Sequence, residues 1–295
     1  MKSKIRVLIT GSRGFVGKNL IKYLKKKKDL DIFYESKNKK DLSKKKNFIK
    51  LMYLSQPNII IHLVSRTVSG FNSESEDKKQ YKNTFMPTKN LIESTKFCKN
   101  LKKIIFTGSI EEYGNVKTPY KENFNPKPIS SYGKYKLRCL KFVKRNLTKN
   151  IKFIWLRPSL MFGPSDNKKR FLGSILHGIK NKKKISVSLD KQKRDYLYVE
   201  DFNRFLYQNL IKKKFPNIQI LNISNENWFS LASVLTLLKK LVKGRTDEYL
   251  NISKKKRDNT KLINSGNLLK KNYPHFKFTK FELALEKTLK SYNIK

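Results

Sequence analysis

The chain has 295 residues and carries 68 basic against 22 acidic side chains, a formal net charge of +46 at pH 7. That length supports a sizeable core, and its two cysteines, Cys98 and Cys139, stand in neither a metal nor a redox spacing, which argues against a disulfide-stapled secreted domain. The apolar run near the start is too short for a signal sequence and no stretch approaches the ~20 apolar residues of a membrane span, so a cytoplasmic protein is expected.

Taken in order, "KIRVLIT" (4–10) reads as a buried strand, followed by a glycine turn and the helical pattern "VGKNLIKYLKKKK". "LDIFYE" (30–35) reads as a second strand, "KNFIKLMYLSQ" as a helix stopped by Pro57, and "NIIIHLVS" (58–65) as a third strand. A polar loop "RTVSGFNSESEDKK" leads to a helix through "TKNLIESTKFCKN", then a strand at 101–109, a helix "YGKYKLRCLKFVKRNL" and a strand at 151–159. Strands that are apolar throughout and separated by helices indicate a doubly wound parallel α/β sheet covered on both faces. Beyond Pro158 the order is less regular, and from about 225 it is mostly helical. The expected division is a nucleotide-binding domain over 1–158, joined by 186–224, and a smaller, mostly helical lobe from 159–185 and 225–295.

"LITGSRGFVGKNL" puts Gly11, Gly14 and Gly17 between the first strand and the mouth of the first helix. Glycines there permit a tight turn and close backbone approach to a pyrophosphate, which the helix N-terminus attracts. Thr10, Arg13, Phe15 and Val16 complete this stretch. Tyr132 and Lys136 lie four residues apart, so on a helix they share a face, and a lysine near a phenol favours proton exchange below the usual tyrosine range.

These segments together resemble the extended short-chain dehydrogenase/reductase family of nucleotide-sugar epimerases, dehydratases and reductases. "TGSRGFVG" resembles its fingerprint, "IIHLVS" its His-Leu-Ala-Ala strand end, and "FTGSIEEYG" its Ser-Ser-Ser…Tyr-Gly strand end. "SYGKYK" is similar to its Tyr-x-x-x-Lys pair, "LRPSLMFGP" to its Leu-Arg-Pro…Tyr-Gly-Pro, and "QKRDYLYVED" to its Arg-Asp-Phe-Val-His-Val-Asp-Asp. The resemblance implies a Rossmann-like fold, an NAD or NADP cofactor and a nucleoside-diphosphate sugar substrate. It implies Ser109, Tyr132 and Lys136 as catalytic residues. Leu63, Val64, Ser65, Asn83 and Pro158 are implied beside the cofactor, with Asp41 and its neighbour Leu42 near the adenine. Glu35, 24 residues after Gly11 at the end of the second strand, suits ribose hydroxyls and favours NAD. Arg13 and Lys37, Lys39 and Lys40 suit a phosphate and favour NADP, and NAD is preferred on balance.

Sugar dehydratases of this kind carry Asp-Glu directly after the catalytic hydroxyl, whereas Ile110 and Glu111 follow Ser109 here, so dehydration is disfavoured. A 4-epimerase or a 4-keto-6-deoxysugar reductase remains, the "QKRDY" stretch resembling reductases of the CDP-abequose-synthase type. Arg194 is the expected partner of the substrate diphosphate, with Arg66, Asn167 and Arg170 as further sugar-nucleotide contacts. The family also implies a homodimer packed through helices at 83–99 and 131–146. No metal is required, and the histidines have no ligand spacing.

The rival reading is a non-catalytic, RNA-associated dinucleotide-binding relative, which would give the charge a purpose. The charge, however, comes from 57 lysines against 11 arginines, spread along the whole chain. An AT-rich genome encodes lysine readily, and reading bases tends to need arginine forks or stacked aromatics. Nucleic acid is therefore not the expected partner.

Overall fold

The computed structural model describes residues 3–35, 41–67, 72–168, 170–189, 193–213, 215–242, 247–254 and 262–294; Lys37, Lys39 and Lys40 lie outside them. In chain order the first half runs β1 (Ile5–Thr10), α1 (Phe15–Leu24), β2 (Leu30–Tyr34), α2 (Lys45–Ser55), β3 (Ile59–His62), α3 (Glu74–Gln80), α4 (Met86–Ser94), β4 (Lys103–Thr107), α5 (Ser131–Asn146) and β5 (Lys152–Pro158). A π-helical turn, Tyr81–Phe85, joins α3 to α4. The second half contributes β6 (Leu160–Phe162), α6 (Phe171–Lys180), β7 (Ile185–Leu189), β8 (Lys193–Tyr198), α7 (Val199–Phe205), β9 (Ile220–Ile223), β10 (Trp228–Ser230), α8 (Leu231–Leu241), β11 (Leu250–Lys254), α9 (Asn267–Asn272) and α10 (Phe281–Ser291).

The main sheet has the order β2-β1-β3-β4-β5-β9, every pairing parallel. All four residues of β3 are buried, the result of covering both faces of a parallel sheet. On one face Leu20 and Leu24 of α1 pack with Phe202 and Phe205 of α7. On the other, Phe48 and Leu51 of α2, Leu91 of α4 and Leu140 and Val143 of α5 form a second core. After β2 the chain crosses back to the far side of β1, so β1 and β3 flank the point where strand order reverses, and ligands of open α/β sheets lodge at such a point.

A third core joins α6, α8 and α10 to Phe162, Tyr196 and Tyr198, beside two small sheets, β10-β8-β6 and β11-β7. Of the stretch 186–224, α7 and β9 lie with the main sheet, whereas β7 and β8 belong to the small sheets. The polar loop expected before α4 is helical from Glu74. The Ser73 hydroxyl accepts the Glu76 amide at 3.1 Å, and Glu74, Glu76 and Asp77 place negative charge in the first turn, which complements the helix dipole. Among the described residues no helix is long and apolar enough to cross a membrane.

Candidate active site

The turn from β1 to α1 is built around Glu35. One of its carboxylate oxygens accepts the amides of Gly11 and Ser12, each at 2.7 Å, and the Ser12 hydroxyl donates to the Glu35 carbonyl. The second carboxylate oxygen is buried without a partner, and burial pushes the carboxyl above its ordinary value. Gly11 has φ +85°, and a Cβ there would lie 2.8 Å from the Leu63 carbonyl carbon, so β3 and the loop touch backbone to backbone. A Cβ on Gly17 would lie 2.2 Å from the Gly11 carbonyl oxygen, which explains the close seat of α1. Gly14 differs: its Cβ would meet only the Gly11 carbonyl oxygen, at 3.4 Å. The absence of a side chain there leaves open space above the helix mouth, as a pyrophosphate cradle requires.

This space belongs to a groove of about 220 Å³. Gly11, Arg13, Gly14, Glu35, Asp41, Leu42, Leu63, Val64, Ser65 and Asn83, ten of the expected residues, line it together. Ser43, Lys82 and Pro87 also line it and were not anticipated, although Lys82 directly precedes Asn83. Asp41 accepts the Ser43 amide at 2.9 Å, and hydrogen bonding to Ser43 holds its carboxyl below the usual range. Thr10 is not on the groove wall. Its hydroxyl bonds His62 Nδ1 at 2.7 Å, and His62 Nε2 meets the Thr88 hydroxyl at 3.2 Å. Burial, helped by the Lys136 charge, takes His62 down to about 3, so this imidazole is neutral and structural. Phe15 and Val16 open α1, and Pro158 is buried at the end of β5, paired with Ile223.

Helix α5 starts where the Ser130 hydroxyl accepts the Gly133 amide at 3.1 Å. Its buried side includes Tyr132, Lys136, Cys139, Leu140 and Val143, the helical spacing that brings the phenol and ammonium to one face. The Ser65 and Ser109 side chains favour the ionised form of the Tyr132 phenol. Lys136 Nζ donates to the Thr107 carbonyl at 2.6 Å and lies 5.9 Å from the Tyr132 ring centroid. The expected depression of the phenol by Lys136 is not found. Burial pushes the Tyr132 phenol up, the Glu111 charge adds to this, and the two serines only partly offset it. Burial lowers Lys136. Glu111 accepts the Ser130 hydroxyl at 2.6 Å, and burial raises its carboxyl.

Ser109 caps a short 3₁₀ turn, Ile110–Glu112. Its hydroxyl accepts the Glu111 amide at 3.2 Å and its own amide donates to Glu112 at 2.8 Å. Glu112 is fully buried and also accepts Trp155 Nε1 at 2.9 Å and Arg157 Nε at 2.8 Å. Arg157 in turn covers the Tyr113 ring at 4.4 Å. No sequence pattern announced this arrangement, because its partners sit on β5, more than 40 residues from Glu112.

The remaining expected residues are engaged within the protein. The Arg66 guanidinium pairs with buried Glu76 at 3.0 Å, and Gln80 and Thr84 complete that cluster. Arg170 pairs with Asp166 at 3.0 Å, donates to the Met161 carbonyl and lies 5.4 Å from the Phe15 ring. The Asn167 amide donates to Asp166 at 2.8 Å. Arg194 lies on β8, its charge acting on Tyr120, whose ring stacks on Tyr113. Among the described residues no group of three or more His, Cys, Asp or Glu could hold a metal.

A glycine-lined groove at a strand-order switch defines a dinucleotide-binding α/β fold. Sequence comparison makes the class specific: the model of the "NAD dependent epimerase/dehydratase family" matches residues 7–224. The dTDP-4-dehydro-6-deoxyglucose reductase of Escherichia coli is 31% identical over 66% of this chain and 69% of its own length. The ADP-L-glycero-D-manno-heptose-6-epimerase of Brachyspira hyodysenteriae is 24% identical over 83% of both chains. Among solved structures, a UDP-glucose 4-epimerase of Thermotoga maritima with UDP-glucose superposes with a TM-score of 0.82 at 21% identity, covering 97% of this chain and 98% of that one. The chain belongs to the NAD dependent epimerase/dehydratase family.

Proposed function

We propose that the protein reduces a 4-keto-6-deoxy sugar carried on a nucleoside diphosphate, reversibly and with NAD(P)H. The carrying observation is the state of Tyr132. Its phenol is buried and holds its proton, and Lys136 lies 5.9 Å from its ring, where the ammonium charge would ease the proton's departure. A proton donor is what a carbonyl oxygen needs when its carbon is reduced. The relative at 31% identity bears the name of such a reductase, which supports the same direction. The lean toward a substrate of the CDP-abequose-synthase type rests on "QKRDY".

The nicotinamide, when bound, supplies the hydride that the sugar carbon takes up. Tyr132 delivers the proton to the sugar oxygen, and Ser109 donates a hydrogen bond to that same oxygen as negative charge develops. Lys136 would hold the nicotinamide ribose and return positive charge to the phenolate left behind. Gly11 to Gly17, Asp41, Leu63 to Ser65 and Asn83 would hold the dinucleotide. Glu35 on the groove wall suits a ribose hydroxyl and favours NAD, while Arg13 on the same wall offers a phosphate partner. Arg194 would meet the substrate diphosphate. A homodimer through α4 and α5 is part of the reading, and light scattering after gel filtration measures it.

The test supplies NADH or NADPH with dTDP- or CDP-4-keto-6-deoxyglucose and follows nicotinamide absorbance. Consumption of one reduced nucleotide per sugar is expected. Interconversion of 4-hydroxyl epimers with no net nucleotide consumed would make the protein an epimerase instead.

A further inference from the structure

The end of β4 contains a charge that the reaction scheme does not use. Glu112 is fully buried, and a buried carboxylate is stable only when its oxygens are occupied. Four contacts occupy them: the Ser109 amide and Trp155 Nε1 on one oxygen, and Arg157 Nε with a longer Trp155 contact on the other. The carboxylate passes so close to the strand that a Cβ on Gly108 would lie 2.4 Å from it and 2.1 Å from Trp155 Nε1. Glycine at 108 is thus required by the Glu112 arrangement.

Two consequences reach the reacting groups. Ser109 has its amide fixed by Glu112 from one side and its hydroxyl set by the Glu111 amide from the other, so the carboxylate holds the backbone from which the hydroxyl projects. The negative charge is also felt at the buried Lys136, and it acts in favour of the ammonium. We propose that Glu112 is a positioning residue of this site, orienting Ser109 through its amide and holding a fixed negative charge 2.8 Å from that amide.

The charged and titratable groups around the pair are Glu111, Arg157, Cys139 and His62. Arg157 is bonded to Glu112 itself. Glu111 acts on Tyr132, Cys139 acts on Lys136, and the Lys136 charge acts on His62. Removing a negative charge lowers the pKa of every neighbour that felt it. Glu112→Gln therefore shifts the titrations of both Lys136 and Tyr132 toward lower pH, whereas a merely structural defect lowers activity without moving them.

This inference rests on the proposed function for its kinetic readout, and for its binding readout only on the contact between Lys136 and the nicotinamide ribose. The first measurement is the affinity of the whole protein for NADH and NADPH by nucleotide fluorescence, from neutral to alkaline pH, which needs no sugar. For Glu112→Gln the alkaline loss of binding is expected about one pH unit lower than in the wild type. A limb that stays in place overturns the proposal. The second variant, Glu112→Asp, keeps the charge but withdraws the oxygen from the Ser109 amide. It is expected to leave the alkaline limb in place and to lower kcat about tenfold at an unchanged KM. An unaltered kcat overturns the positioning role, including where Glu112→Gln fails to fold. Should the wild type reduce no 4-keto sugar, the proposed function fails, and the binding limb alone still decides the role of Glu112.

Discussion

Asp195 gives the sharpest stability prediction. It is fully buried on β8, where one carboxylate oxygen accepts the Ser159 and Ser224 hydroxyls, each at 2.5 Å. The other oxygen is buried without a partner. Burial carries the group from 3.8 to about 7, against the pull of the two serines. The folded state therefore binds this proton more tightly than the unfolded chain does. Its contribution is fully present below the unfolded value and is lost as pH rises through the folded one. Three pH units correspond to about 4 kcal/mol, a large part of a typical stability of about 5–15 kcal/mol. Asp195→Asn keeps the shape, still accepts both serines and cannot ionise. Urea unfolding followed by circular dichroism, at several values between about pH 3.5 and pH 8, measures the difference between variant and wild type. The variant is expected to match the wild type at the acid end and to exceed it by up to about 4 kcal/mol at the alkaline end. A difference that stays constant across this range would refute the reasoning.

Tyr132→Phe is expected to bind dinucleotide as the wild type does and to lose about 10²–10⁴-fold in kcat, read by nicotinamide absorbance. Gly14→Ala and Gly17→Ala should separate. The first has room within the protein and keeps the wild-type melting temperature while losing dinucleotide affinity, whereas the second pushes a Cβ onto the Gly11 carbonyl oxygen and loses both. Arg157→Met leaves Glu112 as an unpaired buried charge and should cost about 3–5 kcal/mol in denaturant unfolding.

The parts of this molecule that sequence reveals are those set by local physics. Strands β1, β3, β4 and β5 announce themselves because a parallel sheet covered on both faces admits few polar residues along them. Three glycines between a strand and a helix announce the groove, and Gly14 lacks a side chain that the protein itself would accommodate. Tyr132 and Lys136 follow from helical periodicity. What the sequence conceals depends on partners distant along the chain. Arg66 and Arg170 look like free cations until the fold supplies Glu76 and Asp166. Glu112 looks like the second half of a surface acidic pair until Trp155 and Arg157 arrive from β5. The protonation of Tyr132 is concealed for a similar reason: proximity to Lys136 is visible in spacing, but the burial that raises the phenol is not. Helix α3 is a different case. The polarity of its segment reads as a loop, whereas its Ser73 cap and acidic first turn are what hold it helical.

The central claim is that this protein takes a hydride from a nicotinamide that exchanges at each turnover and delivers it, with the Tyr132 proton, to a sugar ketone. The most direct measurement is to denature freshly purified protein, identify any released nucleotide by mass spectrometry, and then assay the native protein with NADH or NADPH and a 4-keto-6-deoxy sugar nucleotide. The account predicts substoichiometric bound nucleotide and one reduced nicotinamide oxidised per sugar. One tightly held NAD per chain, with sugar epimers interconverting and no nicotinamide consumed, would contradict it.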